Sequence, residues 1–222
     1  MTDGDLGPGA RTRVRRLPAK ASYDADLIYS ILDEARLCHV AGIVDGLAMA
    51  LPTLHAREGN VLYLHGSQSN AIIRAVLTSA SACVTVTHYD GLRLARSGFE
   101  SSIAYRSVVV VGRAVEVEDP IEKARVLDLF VDSVLPGRAR EVRPMTDGEV
   151  RLTKVIAVSI DEASAKVSSG PTEDFGGDLD LPIWSGVVPA SLVFNEPIAS
   201  SDGAMAAGDI ELPESVRRLL GR

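Results

Sequence analysis

The pattern of hydrophobic periods in this 222-residue chain predicts a mostly β fold with flanking helices, built as a small antiparallel β-barrel. Three observations predict it. Runs with strand character recur at 37–44, 47–55, 61–64, 82–88, 105–117 and 153–161, each bounded by turn residues. The pairs Asp45-Gly46 and Asp90-Gly91 are hairpin turns by type. The helical segments are few and inserted among the strands. No Gly-x-Gly-x-x-Gly follows a strand, so a parallel dinucleotide-binding sheet has no support.

In chain order, residues 1–9 are acidic and Gly-rich and read as disordered. Arg11, Arg13, Arg15 and Arg16 form a basic arm. It is either a solvated tail lying on an acidic body or an arm that reaches a partner subunit or an anionic ligand. Ser22 or Asp24 suits the N-cap of a helix through about residue 36. The apolar Leu27, Ile28, Ile31, Leu32 and Ala35 share one face of it. The period then shortens. Segments 37–44 and 47–55 pair across Asp45-Gly46, with Pro52 marking an edge or a bulge. A turn at Arg57-Glu58-Gly59-Asn60 leads to a third strand, 61–64, and the three read as one antiparallel meander.

A helix at 71–78 precedes alternating 82–88, and a strand at 91–96 follows Asp90-Gly91. The long strand 105–117 contains Gly112, which predicts a bulge or a close backbone approach. Asp119-Pro120 opens a helix to 134, with proline near its first position, and Pro136-Gly137 ends it. A short helix to about 151 leads into the last long strand, 153–161. Beyond Ser164 the chain turns to glycine, proline and acids, with Trp184 its one tryptophan. Residues 202–222 read as a mobile tail with a short helix near 213–220.

Composition bounds the function. Hydrophobic residues are 46% and charged residues 24% of the chain, as expected of a globular protein with a substantial core. The net charge of −7 disfavours a nucleic-acid role based on an overall basic surface. No apolar run approaches the roughly 20 residues of a membrane-crossing helix, and no apolar core of the signal-peptide kind is present. A cytoplasmic protein acting on a small molecule is the expectation, with no membrane or nucleic-acid partner. Cys38 and Cys83 sit in apolar strand-like runs and read as buried reduced thiols. No Cys-x-x-Cys or His-Glu-x-x-His is found, so no dedicated metal site is expected. His39, in an apolar strand, reads as a core histidine; His55 and His88, at strand ends, read as surface residues.

One stretch carries the chemistry: Val61-Leu62-Tyr63-Leu64-His65-Gly66-Ser67-Gln68-Ser69-Asn70. A strand ends at a histidine, a small polar turn follows, and a helix begins. Such a turn presents backbone N–H groups, and the helix N-terminus adds partial positive charge. It is either the phosphate pocket of a bound cofactor, with His65 at its mouth, or a plain solvated connection.

The chain also resembles a known family. The ordered residues Tyr23-Asp24, Ile31-Leu32-Asp33, His39-Val40, Pro52-Thr53 and Leu62 through Ser67 are similar to the flavin-binding split-barrel proteins related to pyridoxamine 5'-phosphate oxidase. So are Asp90-Gly91-Leu92, Ala95-Arg96-Ser97, Tyr105-Arg106-Ser107-Val108, Pro136-Gly137-Arg138, Ser164-Ala165-Lys166 and Trp184-Ser185-Gly186-Val187. The branch most similar is that of nitroimidazole-resistance and flavin-nucleotide-binding proteins. The resemblance spans 11–192, leaving 1–10 as an N-terminus and 193–222 as a C-terminal tail.

The resemblance implies a homodimer of six-stranded split barrels with FMN in two grooves between the subunits, where a flat ring finds an apolar slot. It implies that Pro52 and Thr53 lie against the flavin ring. Leu64, His65, Gly66, Ser67, Ser69 and Asn70 would line the ring, ribityl chain and phosphate. Arg106 and Ser107 would border the same groove, and Trp184 would close over the partner's site. His65 is the candidate catalytic residue, orienting or protonating the acceptor. The implied activity is an FMN-dependent oxidoreduction with a nicotinamide donor and a small organic acceptor, a nitroaromatic being one candidate.

Two departures qualify this. The family's turn continues with Arg or Lys, whereas here Ala71 and Ile72 follow Asn70, and Arg74, one turn later, is the candidate to replace that charge at the cofactor phosphate. Losing a charge-assisted phosphate contact costs on the order of 1.5–3 kcal/mol, roughly ten- to a hundredfold in affinity. The branch's His-His pair and asparagine are replaced by Glu100, Ser101 and Ala104. Two alternatives therefore stay open. Haem or a deazaflavin could occupy the groove, with His65 as the iron ligand in the haem case. Or the chain is a cofactor-free binding module or a repurposed enzyme of specialised metabolism.

Overall fold

The computed structural model describes residues 6–7, 9–203, 205, 208 and 210–221. The expectation of disorder over 1–9 falls mostly outside them. The strands are β1 (Ala21–Ser22), β2 (Cys38–Val44), β3 (Leu47–Thr53), β4 (His55–Glu58), β5 (Val61–Ser67), β6 (Ala82–Leu94), β7 (Ser102–Gly112), β8 (Ala114–Glu116), β9 (Thr153–Ser159), β10 (Glu162–Ser168) and β11 (Gly186–Pro189). The helices are α1 (Ala25–Glu34), α2 (Ala71–Thr78), α3 (Pro120–Val134), α4 (Asp147–Leu152) and α5 (Glu214–Leu219). Every strand pair is antiparallel.

Two sheets form the barrel. One runs β1-β10-β7-β6-β2-β3, with β11 added on β6; the other runs β4-β5-β9-β8. The strand count thus exceeds the six expected. The reason lies at two corners where one hydrophobic run serves both sheets. At Leu54 the chain leaves β3 and enters β4, so the expected three-stranded meander is split between sheets. At Arg113 the long strand breaks between β7 and β8. Gly112 makes that corner possible: a Cβ there would lie 1.6 Å from the Ser159 carbonyl oxygen. β10, β11 and β1 went unforeseen. Elsewhere 82–88 and 91–96 are one strand, bulged between Tyr89 and Gly91.

The sheets enclose a core of Val40, Leu62, Leu64, Val84, Val86, Val108, Val110, Ile156 and Val158, closed by Ile28, Ile31 and Leu32 of α1 and Ile72, Ile73 and Val76 of α2. A second cluster lies outside the smaller sheet, where Ala56, Tyr63 and Val155 pack under Val126, Leu127 and Phe130 of α3. Asp24 caps α1 as expected, accepting from Leu27 N–H; Asn70 accepts from Ile73 N–H and Asp119 from Ile121 and Glu122 N–H. The tail carries α5, tied back where Ser215 N–H and Oγ–H donate to Glu141 at 2.9 and 2.5 Å. Among the described residues no helix is long and apolar enough to cross a membrane.

Candidate functional site

β5 alternates its faces. Leu62 and Leu64 point into the barrel, while Tyr63 and His65 point outward beneath α3. The His65 ring meets Phe130 edge-on, with centroids 4.3 Å apart at 66°. Its Nδ1 is enclosed without a hydrogen-bond partner, and no described residue bonds either ring nitrogen. Burial lowers its pKa, so the imidazole is neutral near pH 7 and keeps a free lone pair.

The turn beyond is closed on itself. Asn70 N–H donates to the Ser67 carbonyl at 3.0 Å, and the hydroxyls of Ser67 and Ser69 pair at 3.2 Å. Gln68 donates to the Arg151 carbonyl at 3.0 Å. Gly66 leaves room for Asn70, whose Nδ2 would stand 2.7 Å from a Cβ at that position. Lys154 sits opposite Gly66 on β9 and grips Glu116 at 2.6 Å, most of its length covered. This lysine is the cation nearest the turn in register, and sequence reasoning missed it. Its signal was a lone lysine in a run of inward-facing apolar positions. Phe130 was missed too, since helical spacing marks it only as core.

The remaining predicted residues are dispersed. Pro52 is exposed on edge strand β3 and registers with His39; Thr53 is half-buried and registers with Cys38. Leu64 is fully enclosed in the core. Arg74 lines a cavity with Ala71, Ile43 and Asp45 at the β2–β3 turn rather than the 66–70 turn. Ser107 is half-buried, in register with Thr87 and Lys166. Trp184 is 65% exposed.

Arg106 is held by two carboxylates. It chelates Asp90 at 3.0 Å through Nε and Nη2, and Glu34 through both terminal nitrogens. This clamp joins the end of α1 to β6 and β7, and the Arg106 hydrogen bonds hold the Glu34 carboxyl below the usual range. A cavity of about 660 Å³ opens beside it, walled by Glu34, His88, Tyr89, Asp90, Arg106 and Phe194.

The other histidines correct the reading. His39 is exposed, because its strand face turns outward. His55 is 3% exposed and bonds the Leu32 carbonyl at 2.9 Å, because the corner at Leu54 turns it under α1. His88 is half-buried on the Ile31 carbonyl. Both cysteines are free thiols, Cys38 buried and Cys83 half-buried. Among the described residues no group of three or more His, Cys, Asp or Glu side chains is placed to hold a metal ion.

Residues 24–167 match the family model described as pyridoxamine 5'-phosphate oxidase. The chain belongs to the pyridoxamine 5'-phosphate oxidase family. No curated protein matches the sequence significantly. Among solved structures, the flavocytochrome Anf3 from Azotobacter vinelandii is 35% identical, covers 96% of this chain and 97% of its own, and superposes with a TM-score of 0.89. The FAD and haem binding protein from Mycobacterium smegmatis is 35% identical over 90% of this chain and 97% of its own, with a TM-score of 0.84. A candidate 5-nitroimidazole antibiotic resistance protein from Bacteroides thetaiotaomicron is 25% identical over 66% of this chain and 86% of its own, with a TM-score of 0.56. Family membership and the split-barrel fold stand on these matches.

Proposed function

We propose that the protein is a homodimeric, flavin-dependent oxidoreductase that also carries haem, working between a nicotinamide donor and a small organic acceptor. The observation that carries this reading is the similarity, over at least 90% of the chain, to one protein named a flavocytochrome and another named for FAD and haem.

The residues present fit such groups. A neutral histidine with unclaimed ring nitrogens, braced by an aromatic edge, is the donor that haem iron takes. His65 would hold the iron. The outward face of β3, β2, β6 and β7 carries Ala50 and Pro52, Ala41, Thr85, Ser107 and Val109, small side chains set around the exposed imidazole of His39. Pro52 and Ser107 would meet a flavin ring there, whereas Thr53 shares the opposite face of the sheet with buried Cys38, and Gly66, Ser67, Ser69 and Asn70 would border the ring's side chain. Trp184 would lie over the site of the second copy.

Ala71 and Ile72 favour FAD over FMN. FMN ends in a phosphomonoester whose binding leans on a nearby cation. FAD spreads its contacts over a pyrophosphate and an adenosine, so one missing base matters less. When bound, the cofactors supply the electron chemistry, and the protein supplies orientation and a dry groove. His65, uncharged by burial, keeps its lone pair at neutral pH.

The absorbance spectrum of the purified protein tests this. Flavin bands together with a Soret band are expected, and acid-released cofactor should run as FAD. His65→Ala should abolish the Soret band and leave the flavin bands. A colourless protein that takes up neither FAD nor FMN overturns the flavin assignment and leaves a cofactor-free module. A Soret band surviving in His65→Ala removes His65 as ligand.

A further inference from the structure

A buried guanidinium with no counter-ion among the described residues stands apart from all the residues above. Arg93 of β6 is 6% exposed. Its Nη1–H donates to Ser168 Oγ at 3.0 Å and its Nη2–H to the Pro171 carbonyl, while Nε–H is enclosed with no acceptor. It makes no ion pair with any described residue. Lys20 converges on the same hydroxyl, donating from Nζ at 3.1 Å. Two cations therefore meet on one neutral oxygen of a residue that is 2% exposed. Like charges brought together in a low-dielectric wall are unfavourable unless an anion joins them. Both acceptor sites of Ser168 Oγ are taken, so its own O–H is left to donate.

The two cations face a cavity of about 360 Å³, lined by Arg93, Lys20, Arg16, Ser101, Ser102 and Phe99, with Ser168 buried behind them. Glu100 and Glu173 are also in its wall, and neither pairs with a cation within 4.0 Å among the described residues. Arg13, Arg15 and Arg16 lie exposed on the adjoining arm with no carboxylate partner among the described residues, whereas Arg11 is held by Glu162 at 2.8 Å. In a chain of net charge −7 this is a local concentration of cations. Phe99 stands 84% exposed at the rim, stacked on Phe175 with centroids 6.2 Å apart at 24°. A phosphate in the cavity and a flat base on the aromatic pair would satisfy both features.

We propose that this cavity is a phosphate-binding site for a ligand of the nucleotide class. Arg93 and Lys20, held together on Ser168, are the donors to the phosphate, and Phe99 is the platform for the base. The phosphate belongs either to a diffusible nucleotide or to the adenylate end of the flavin, and the experiment separates the two.

ADP, AMP and inorganic phosphate are titrated into the purified protein by calorimetry, and flavin per chain is measured in parallel. The variants are Arg93→Met, Lys20→Met, Arg16→Met and Phe99→Ala. With a diffusible nucleotide, ADP binds, affinity falls as salt rises, and Arg93→Met or Lys20→Met weakens it roughly ten- to a hundredfold with flavin content unchanged. With the cofactor's own phosphate, ADP does not bind, and flavin content falls in the same two variants while any Soret band is kept. Lys20 and Arg16 are not core residues, so their variants report even if Arg93→Met fails to fold. Wild-type protein that binds no ADP, with flavin content unchanged in every variant, overturns the proposal. So does ADP binding that ignores all four substitutions. Neither result bears on whether a flavin is present.

Discussion

At the scale of single residues, burial of two imidazoles sets the acid limit of the fold. His55 and His65 both have pKa values lowered from the ordinary 6.5, in each case chiefly by burial. The folded state resists protonating them, while the unfolded chain does not. Their contribution is complete above about 6.5 and declines as pH falls below it. Glu34 acts lower down. The Arg106 hydrogen bonds depress its pKa from 4.5, so its contribution holds above that value and is lost on further acidification. Thermal denaturation between pH 8 and pH 3 should therefore show two declines. His55→Gln, which can still donate to the Leu32 carbonyl, should flatten the upper decline and leave the lower one. An upper decline of undiminished size in both His55→Gln and His65→Ala would assign it elsewhere.

At the scale of elements, the corners decide the fold. Gly112→Ala forces a Cβ against the Ser159 carbonyl, a backbone atom that cannot swing aside. A destabilisation of about 3 kcal/mol is expected, lowering Tm by roughly 6–12 °C. Asp119→Ala removes the cap of α3 and should cost about 1 kcal/mol, with the far-ultraviolet spectrum unchanged. Chemical denaturation of both variants checks the ranking. The same corners show what was legible in the sequence. Gly112 was legible because glycine inside a valine run marks a position where a side chain has no room. The split at Leu54 was not, because period two continues through it and only the partner strands change. β10 was missed because Glu162–Ser168 alternates small residues, whose weak hydrophobic signal hides a strand enclosed on one face. At the site, the strand–turn–helix around His65 was readable from residue types. Lys154, Phe130 and the Arg93–Lys20–Ser168 convergence were not, since each joins segments far apart in the chain.

At the scale of the whole molecule, the exposed apolar residues are not scattered. Leu47, Met49 and Leu51 share one face of the β2–β3 hairpin, and Ile183, Trp184, Val187, Val188, Leu192, Val193 and Phe194 follow one another along the strap that pairs with β6. A contiguous apolar surface of this kind marks an interaction site. Two such surfaces on one chain suit an isologous pair, in which each copy offers its strap and receives its partner's on the hairpin. The proposed flavin groove is open to solvent unless a second copy covers it, so dimerisation and cofactor retention should fail together. Leu47→Glu combined with Met49→Glu places four like charges in the paired interface and should weaken the dimer by roughly a hundredfold or more. Sedimentation at micromolar concentration should then give monomer, and the same sample should lose flavin on gel filtration. Ile121→Glu serves as the control, since Ile121 is exposed on α3, away from both surfaces. It should leave mass and absorbance as they were. A double variant that becomes monomeric yet keeps its flavin would place the flavin wholly within one chain, and the groove between copies would have to be abandoned.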